Sequence, residues 1–140
     1  MSLQLFLFNT CLPWLTLHII SFYNDLLCQS VILGGLMSSE IEQYINEHIP
    51  IVKKHNFEIT EAVKPFIQVR GTLKDHINHR NSVFGGSIST SLIVASWASV
   101  RNILLTRGIP SGIIVIQSEH VEFSKPLIDD FYAELRPISD

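Results

Sequence analysis

From Arg80 to Arg101 the chain carries no charged side chain between the two arginines, and Ser82, Ser87, Ser89, Thr90, Ser91, Ser96 and Ser99 are scattered among apolar residues. No polar face remains, so a helix here has to be surrounded by protein. Gly85-Gly86 opens the run; Arg101 and Arg107 sit near its end, with Gly108 as a C′ residue and Pro110 just beyond. The pattern predicts a buried central helix of about six turns. Upstream, Ser39 and Glu42 form an S-x-x-E capping box, and Ile41, Tyr44, Ile45, His48 and Ile49 recur at helical spacing until Pro50 stops the helix. His48 is expected at the edge of the core. From Phe57 the period becomes two: Phe57, Ile59 and Glu61 alternate with Glu58, Thr60 and Ala62, and after a join near Lys64-Pro65, Ile67, Val69, Gly71 and Leu73 alternate with Gln68, Arg70 and Thr72. Beyond Gly112 a strand is expected from Ile113 to Phe123, broken by Ser124-Lys125-Pro126, and Phe131 to Leu135 begins another. The order helix, two strands, long buried helix, two strands is that of an α+β unit whose sheet wraps one apolar helix.

Composition sharpens this picture. A chain of 140 residues supports one domain with a proper core. Its net charge of −3, without a Lys/Arg cluster, argues against a nucleic-acid partner. Cys11 and Cys28 both precede residue 37, which leaves the rest without a disulfide or thiolate metal site and suggests a reduced, cytoplasmic domain. Residues 1–36 differ in composition from the remainder of the chain: Met1 to Asn24 lacks Lys, Arg, Asp and Glu and is rich in Leu, Ile and Phe. That resembles a membrane or signal segment, yet Gln4, Asn9, Thr10, Pro13, His18 and Ser21 interrupt it and no basic flank orients it. The division expected is an apolar extension over 1–36, from an upstream start or a membrane segment, and a domain over 37–140. Membrane association through residues 1–36 is the weaker alternative.

The chemistry centres on the start of the long helix. Gly85-Gly86 lets a ligand approach the backbone closely, and the unpaired N–H groups of a first turn form a small electropositive pocket for a phosphate, a carboxylate or a polarised carbonyl oxygen. A lone Gly-Gly also serves simply to pack a helix tightly on a sheet. The six histidines have no metal-ligand spacing, and H-E-x-x-H, P-loop and G-x-S-x-G motifs are absent. Asp129-Asp130 reads as solvated turn residues and Trp97 as core.

Asn78-x-x-Asn81-x-x-Phe84-Gly85-Gly86 leading into the helix, within that element order, resembles the hotdog fold of acyl-CoA thioesterases. More narrowly, Glu47-His48-Ile49-Pro50, Phe84-Gly85-Gly86-Ser87, the Trp97 helix, Gly112-Ile113-Ile114 and Phe123-Ser124-Lys125-Pro126 resemble the thioesterase domain that forms the C-terminal half of YiiD-type proteins. The likeness covers about residues 44–130. It implies a curved antiparallel sheet around the central helix, and family members run on for some further strands, so a sheet lacking its last strands is expected here. The acetyltransferase half of such proteins has no counterpart in this chain.

The resemblance also implies an acyl-CoA or acyl-carrier thioester lying across a homodimer or higher-oligomer interface, with its carbonyl at the helix start and neither metal nor bound cofactor. The backbone N–H groups of Gly85 and Gly86 would hold the oxyanion, and Asn78 would orient the water or the carbonyl. Phe84 and Ser87 would line the substrate. Related thioesterases carry a carboxylate about two turns into the helix as base, but here that neighbourhood reads Leu92-Ile93-Val94, and Phe84 stands where H-G-G has histidine. His79 and His76 are the alternative bases, and Glu119 or His120 would enter from the next strand, to serve likewise or to contact the substrate. The ordinary reading of these four is solvated loop for His76 and His79, and opposite strand faces for Glu119 and His120. Two functions therefore stand: a thioesterase using water, and a non-catalytic acyl-thioester-binding or structural hotdog module. The dehydratase branch of the fold is a third, with His76 the one residue suitably placed.

Overall fold

The computed structural model describes residues 2–8, 19–20, 38–61, 66–109 and 114–137. In chain order they form β1 (Ser2–Phe8), β2 (Ile19–Ile20), α1 (Ser38–His48), α2 (Pro50–Lys54), β3 (Glu58–Glu61), β4 (Ile67–Gly71), α3 (Leu73–His76), α4 (Gly85–Thr106) and β5 (Phe131–Pro137). The five strands make one sheet in the order β2-β1-β5-β4-β3, and every pairing is antiparallel. Ile59 lies opposite Val69, and Val69 opposite Ala133. This register puts the apolar set of the period-two pattern on one face, where Ile59, Ile67, Val69, Phe131, Ala133 and Leu135 are buried. The other face is polar: Thr60 Oγ1 donates to Gln68 Oε1 at 3.2 Å, and Gln68 Nε2 donates to Glu134 Oε2 at 3.2 Å.

α4 packs against β4 and β5. Its 22 residues match the length expected of the uncharged run. It is long and apolar enough to cross a membrane by length and composition, yet 56% of its apolar window is buried within the protein, as in the core helix of a globular fold. Small residues make the close approach possible: Ser91, Ala95, Ala98 and Ser99 are all fully buried. Their hydroxyls are satisfied locally, as buried polar groups must be. Ser91 Oγ donates to Ile88 O and Ser96 Oγ to Leu92 O, each at 2.8 Å. Ser99 works across elements, accepting the Ile67 N–H at 2.9 Å and so fixing β4 to the helix. Arg107 ends the helix as C-cap and Gly108 follows with φ +65°, a left-handed conformation that glycine adopts without steric cost.

Four expectations change. Pro50 does more than end α1, for it also opens α2 at a first-turn position where its missing N–H costs nothing. His48 is exposed rather than at the core edge, its ring stacked on Tyr44 at 4.0 Å and its Nδ1 2.8 Å from Tyr44 O. The helix bearing the capping box starts at Ser38, one residue before Ser39, whose side chain lies outside the described residues. Most important, residues 114–123 form no strand, and Val115 and Phe123 are 76% and 54% exposed. Alternation makes a strand only where the segment pairs with a neighbour's N–H and C=O groups; β5 has β4 on one side and β1 on the other, and residues 114–123 join neither outer strand, β2 or β3. Lys64-Pro65, Pro110 and Gly112 lie outside the described residues. Of residues 1–36, β1 and β2 are described, and β1 pairs with β5 from Leu3↔Pro137 to Phe8↔Tyr132.

Candidate active site at the start of the central helix

The approach to α4 begins at α3. Thr72 caps this helix, its Oγ1 accepting the Asp75 N–H at 3.3 Å and donating to Asp75 Oδ2 at 2.9 Å. Hydrogen bonds from Asn56 and Thr72 hold the Asp75 carboxyl below its ordinary pKa. The chain then turns through a tight loop closed by a bridge between Ile77 and Val83. Asn78 is its centre. Its N–H donates to Ser82 O at 2.8 Å, its Oδ1 accepts from Arg80 N at 2.7 Å and Ser82 N at 3.3 Å, and its Nδ2 donates to Ser82 Oγ at 3.0 Å. Asn81 takes φ +59°, which asparagine tolerates better than most residues. The loop is fastened outward by Val83 N to Leu127 O and by Phe84 N to His76 O, both 2.7 Å.

Phe84 is the N-cap of α4, in extended conformation, and its carbonyl receives the Ser87 and Ile88 N–H groups at 2.9 and 3.2 Å. The N–H groups of Gly85 and Gly86 come before the first intrahelical donor, Ser87, and no side chain caps them. Two exposed aromatic rings border these amides. A Cβ on Gly86 would overlap the Phe84 ring, while one on Gly85 would lie 3.4 Å from Phe123 Cζ. Phe84 and Phe123 are 56% and 54% exposed. The result is a pair of oriented donors with apolar walls, which suits an oxygen that becomes negative on a ligand whose remainder is apolar.

The residues singled out from the sequence fall into three groups. Gly85, Gly86 and Phe84 meet at this first turn, with Ser87 buried just inside it. Asn78 is adjacent, but its amide is committed to closing the loop rather than presented to a ligand. His79 is exposed on the same loop. His76 is a correction: it does not decorate a solvated loop but is 4% exposed, stacked on Phe57 at 4.8 Å. Burial, followed by the nearby His55, pushes its pKa below that of a free imidazole. Glu119 and His120 are likewise corrected, since both are exposed on an irregular segment and not on a strand. Phe123 was missed as a neighbour of Gly85, although it opens the F-S-K-P block; nothing in local pattern says which turn it reaches. Among the described residues no group of three or more His, Cys, Asp or Glu could hold a metal ion.

The fold has relatives of known structure. One is a putative thioesterase from Shewanella oneidensis, at 20% identity and TM-score 0.61, covering 66% of this chain and 64% of that one. Another is a protein of unknown function from Chlorobaculum tepidum, at 20% identity and TM-score 0.66, covering 74% of this chain and 63% of that one. The chain thus spans just under two thirds of the length of each. No curated protein matches it. The arrangement of sheet and helix is the α+β hotdog fold expected from the residues around Gly85-Gly86. The family model described as putative thioesterase (yiiD_Cterm) matches residues 38–138, and the chain belongs to that family.

Proposed function

We propose that the chain hydrolyses an acyl thioester, acyl-CoA or an acyl-carrier conjugate, with water as nucleophile. The observation that carries this reading is the uncapped first turn of α4, with the Phe84 ring beside Gly86 and the Phe123 ring beside Gly85. The thioester carbonyl would accept from these amides, which strengthen as charge develops on oxygen in the tetrahedral intermediate. Water adds to the carbonyl carbon and loses a proton to the base. Collapse breaks the C–S bond, and the departing thiolate takes that proton back. His79 is our choice of base, because it is exposed on the loop leading into the turn while the His76 ring is buried. Asn78 serves by holding the loop. A homodimer in the cytoplasm is the proposed working form.

One observation favours a second reading, a non-catalytic acyl-thioester-binding module. The second turn of α4 offers Leu92, Ile93 and Val94 where a carboxylate base would stand, and Leu92 is fully buried. Incubation with a panel of acyl-CoAs, with free thiol followed colorimetrically and binding by calorimetry, separates the two. Hydrolysis is expected; saturable binding without thiol release would establish the module instead.

A further inference from the structure

His76 has an unusual position for a titratable group. Its ring is 4% exposed, lies nearly parallel to Phe57 at 4.8 Å and meets Phe131 edge-on at 5.5 Å. Gly71 makes room for it: a Cβ there would come within 3.1 Å of His76 Cδ2. Its Nε2 is buried and has no hydrogen-bond partner. A neutral imidazole can leave one ring nitrogen as an idle acceptor at modest cost, whereas the imidazolium needs an acceptor for both N–H groups. In this pocket the second N–H would be a buried, unpartnered donor on a cation.

The same residue fastens the site. The His76 carbonyl accepts the Phe84 N–H at 2.7 Å, and the Phe84 carbonyl in turn accepts the Ser87 and Ile88 N–H groups. α3 is four residues long, so it has little helical structure of its own to hold it once the ring leaves. We propose that His76 is an acid-sensitive latch: protonation expels its ring from the aromatic pocket, and loss of the His76–Phe84 backbone bond then frees the first turn of α4.

The charged surroundings support this. On its own element stand Lys74 and Asp75, whose carboxyl is engaged by Asn56 Nδ2 and Thr72 Oγ1, both at 2.9 Å. From the end of α2 comes His55, with its ring 6.0 Å away. From the start of β5 comes Asp130, which accepts the Leu73 N–H at 2.9 Å and lies 3.7 Å from Arg70. The two aromatic neighbours, Phe57 and Phe131, bring no charge. Burial and then His55 lower the His76 pKa, and Asp75 opposes them more weakly. A histidine whose folded pKa is depressed stabilises the fold fully above its unfolded value, about 6.5. That stability is lost as pH falls below this value, the folding constant dropping about tenfold per unit until the folded pKa is reached.

The test needs no substrate. Chemical unfolding at pH 7.5, 6.5 and 5.5 is compared for the parent and His76→Phe, which keeps a ring in the pocket and removes the nitrogens. In parallel, NMR follows the His76 Cε1 proton and the amide protection factors of Phe84, Val69 and Leu92 over the same range. The parent is expected to lose more folding constant than His76→Phe between pH 6.5 and 5.5, by up to about fivefold. Protection at Phe84 should fall with His76 protonation while Val69 and Leu92 stay protected. Equal acid loss in both proteins would overturn the proposal, as would a Phe84 amide that stays protected while His76 titrates. Should His76→Phe not fold, the parent's NMR titration decides alone.

Discussion

Two irregular segments each deliver an aromatic ring to the first turn of α4, and they are built differently. The loop from Ile77 to Phe84 is closed on itself: a bridge joins its ends, Asn78 bonds to Arg80 and Ser82, and Phe84 returns to His76. In the segment from Ile114 to Pro126, no residue hydrogen-bonds to another described residue, and its side chains are exposed apart from half-buried Ile114 and Val121. It is fixed to the rest by packing, with half-buried Val121 against the core, and by buried Leu127, whose carbonyl takes the Val83 N–H. Thus Phe84 is held by a hydrogen-bond network, and Phe123 by the side-chain packing of Val121 and Leu127 on either side of it. The lesson is that proximity to a site does not measure how firmly a residue is placed there.

Substitutions can break this contrast, taken in order of the stability they cost. Leu127→Ala removes the anchor's buried side chain and is expected to cost about 2–4 kcal/mol in urea unfolding. Because the Leu127 carbonyl remains, Val83 keeps its partner, and the loss should be one of packing. Asn78→Ala strips the loop of its cross-links and leaves the part-buried Ser82 N–H and Oγ short of partners; the expected cost is about 2–3 kcal/mol. Turnover should fall with it, since the loop sets Phe84, and a Tm lowered together with kcat is the signature to measure. Phe123→Ala should leave stability within about 0.5 kcal/mol. Its effect belongs in KM, which should rise as one apolar wall of the turn is lost; an unchanged KM would show that Phe123 does not meet the acyl group.

Much of the fold was readable because it rests on local rules. The uncharged run could only be a buried helix, and the alternation at Phe57–Ile59 and Ile67–Val69 sorted these residues to the buried face where the strands place them. That the helix starts at Gly85-Gly86 was readable too, from where the uncharged run meets the glycine pair. What failed depends on partners distant in sequence. Residues 114–123 alternate well enough for a strand, but no ladder reaches them. His76 reads as a loop residue until Phe57 and Phe131, 19 and 55 positions away, enclose it. Asn78 is a different case, with local partners: it matched a catalytic pattern, and its amide is occupied by neighbours only two and four residues on, an Asx-type closure that the pattern alone does not distinguish from a substrate contact.

His79→Ala is the mildest change for the fold and the sharpest for the chemistry. The side chain is exposed on a loop whose closure runs through Asn78, so Tm should not move measurably. A base within reach of the attacking water contributes roughly 10²–10⁴-fold to the rate. The variant's kcat is therefore expected to fall at least about a hundredfold with KM nearly constant, because the Gly85 and Gly86 amides proposed to receive the carbonyl are untouched. His76→Phe supplies the control at neutral pH, since it removes a histidine of the same approach whose ring is buried against Phe57 and Phe131 and should keep kcat there. A full-rate His79→Ala variant would move the base elsewhere, and Glu119 and His120 on the neighbouring irregular segment would be next to test.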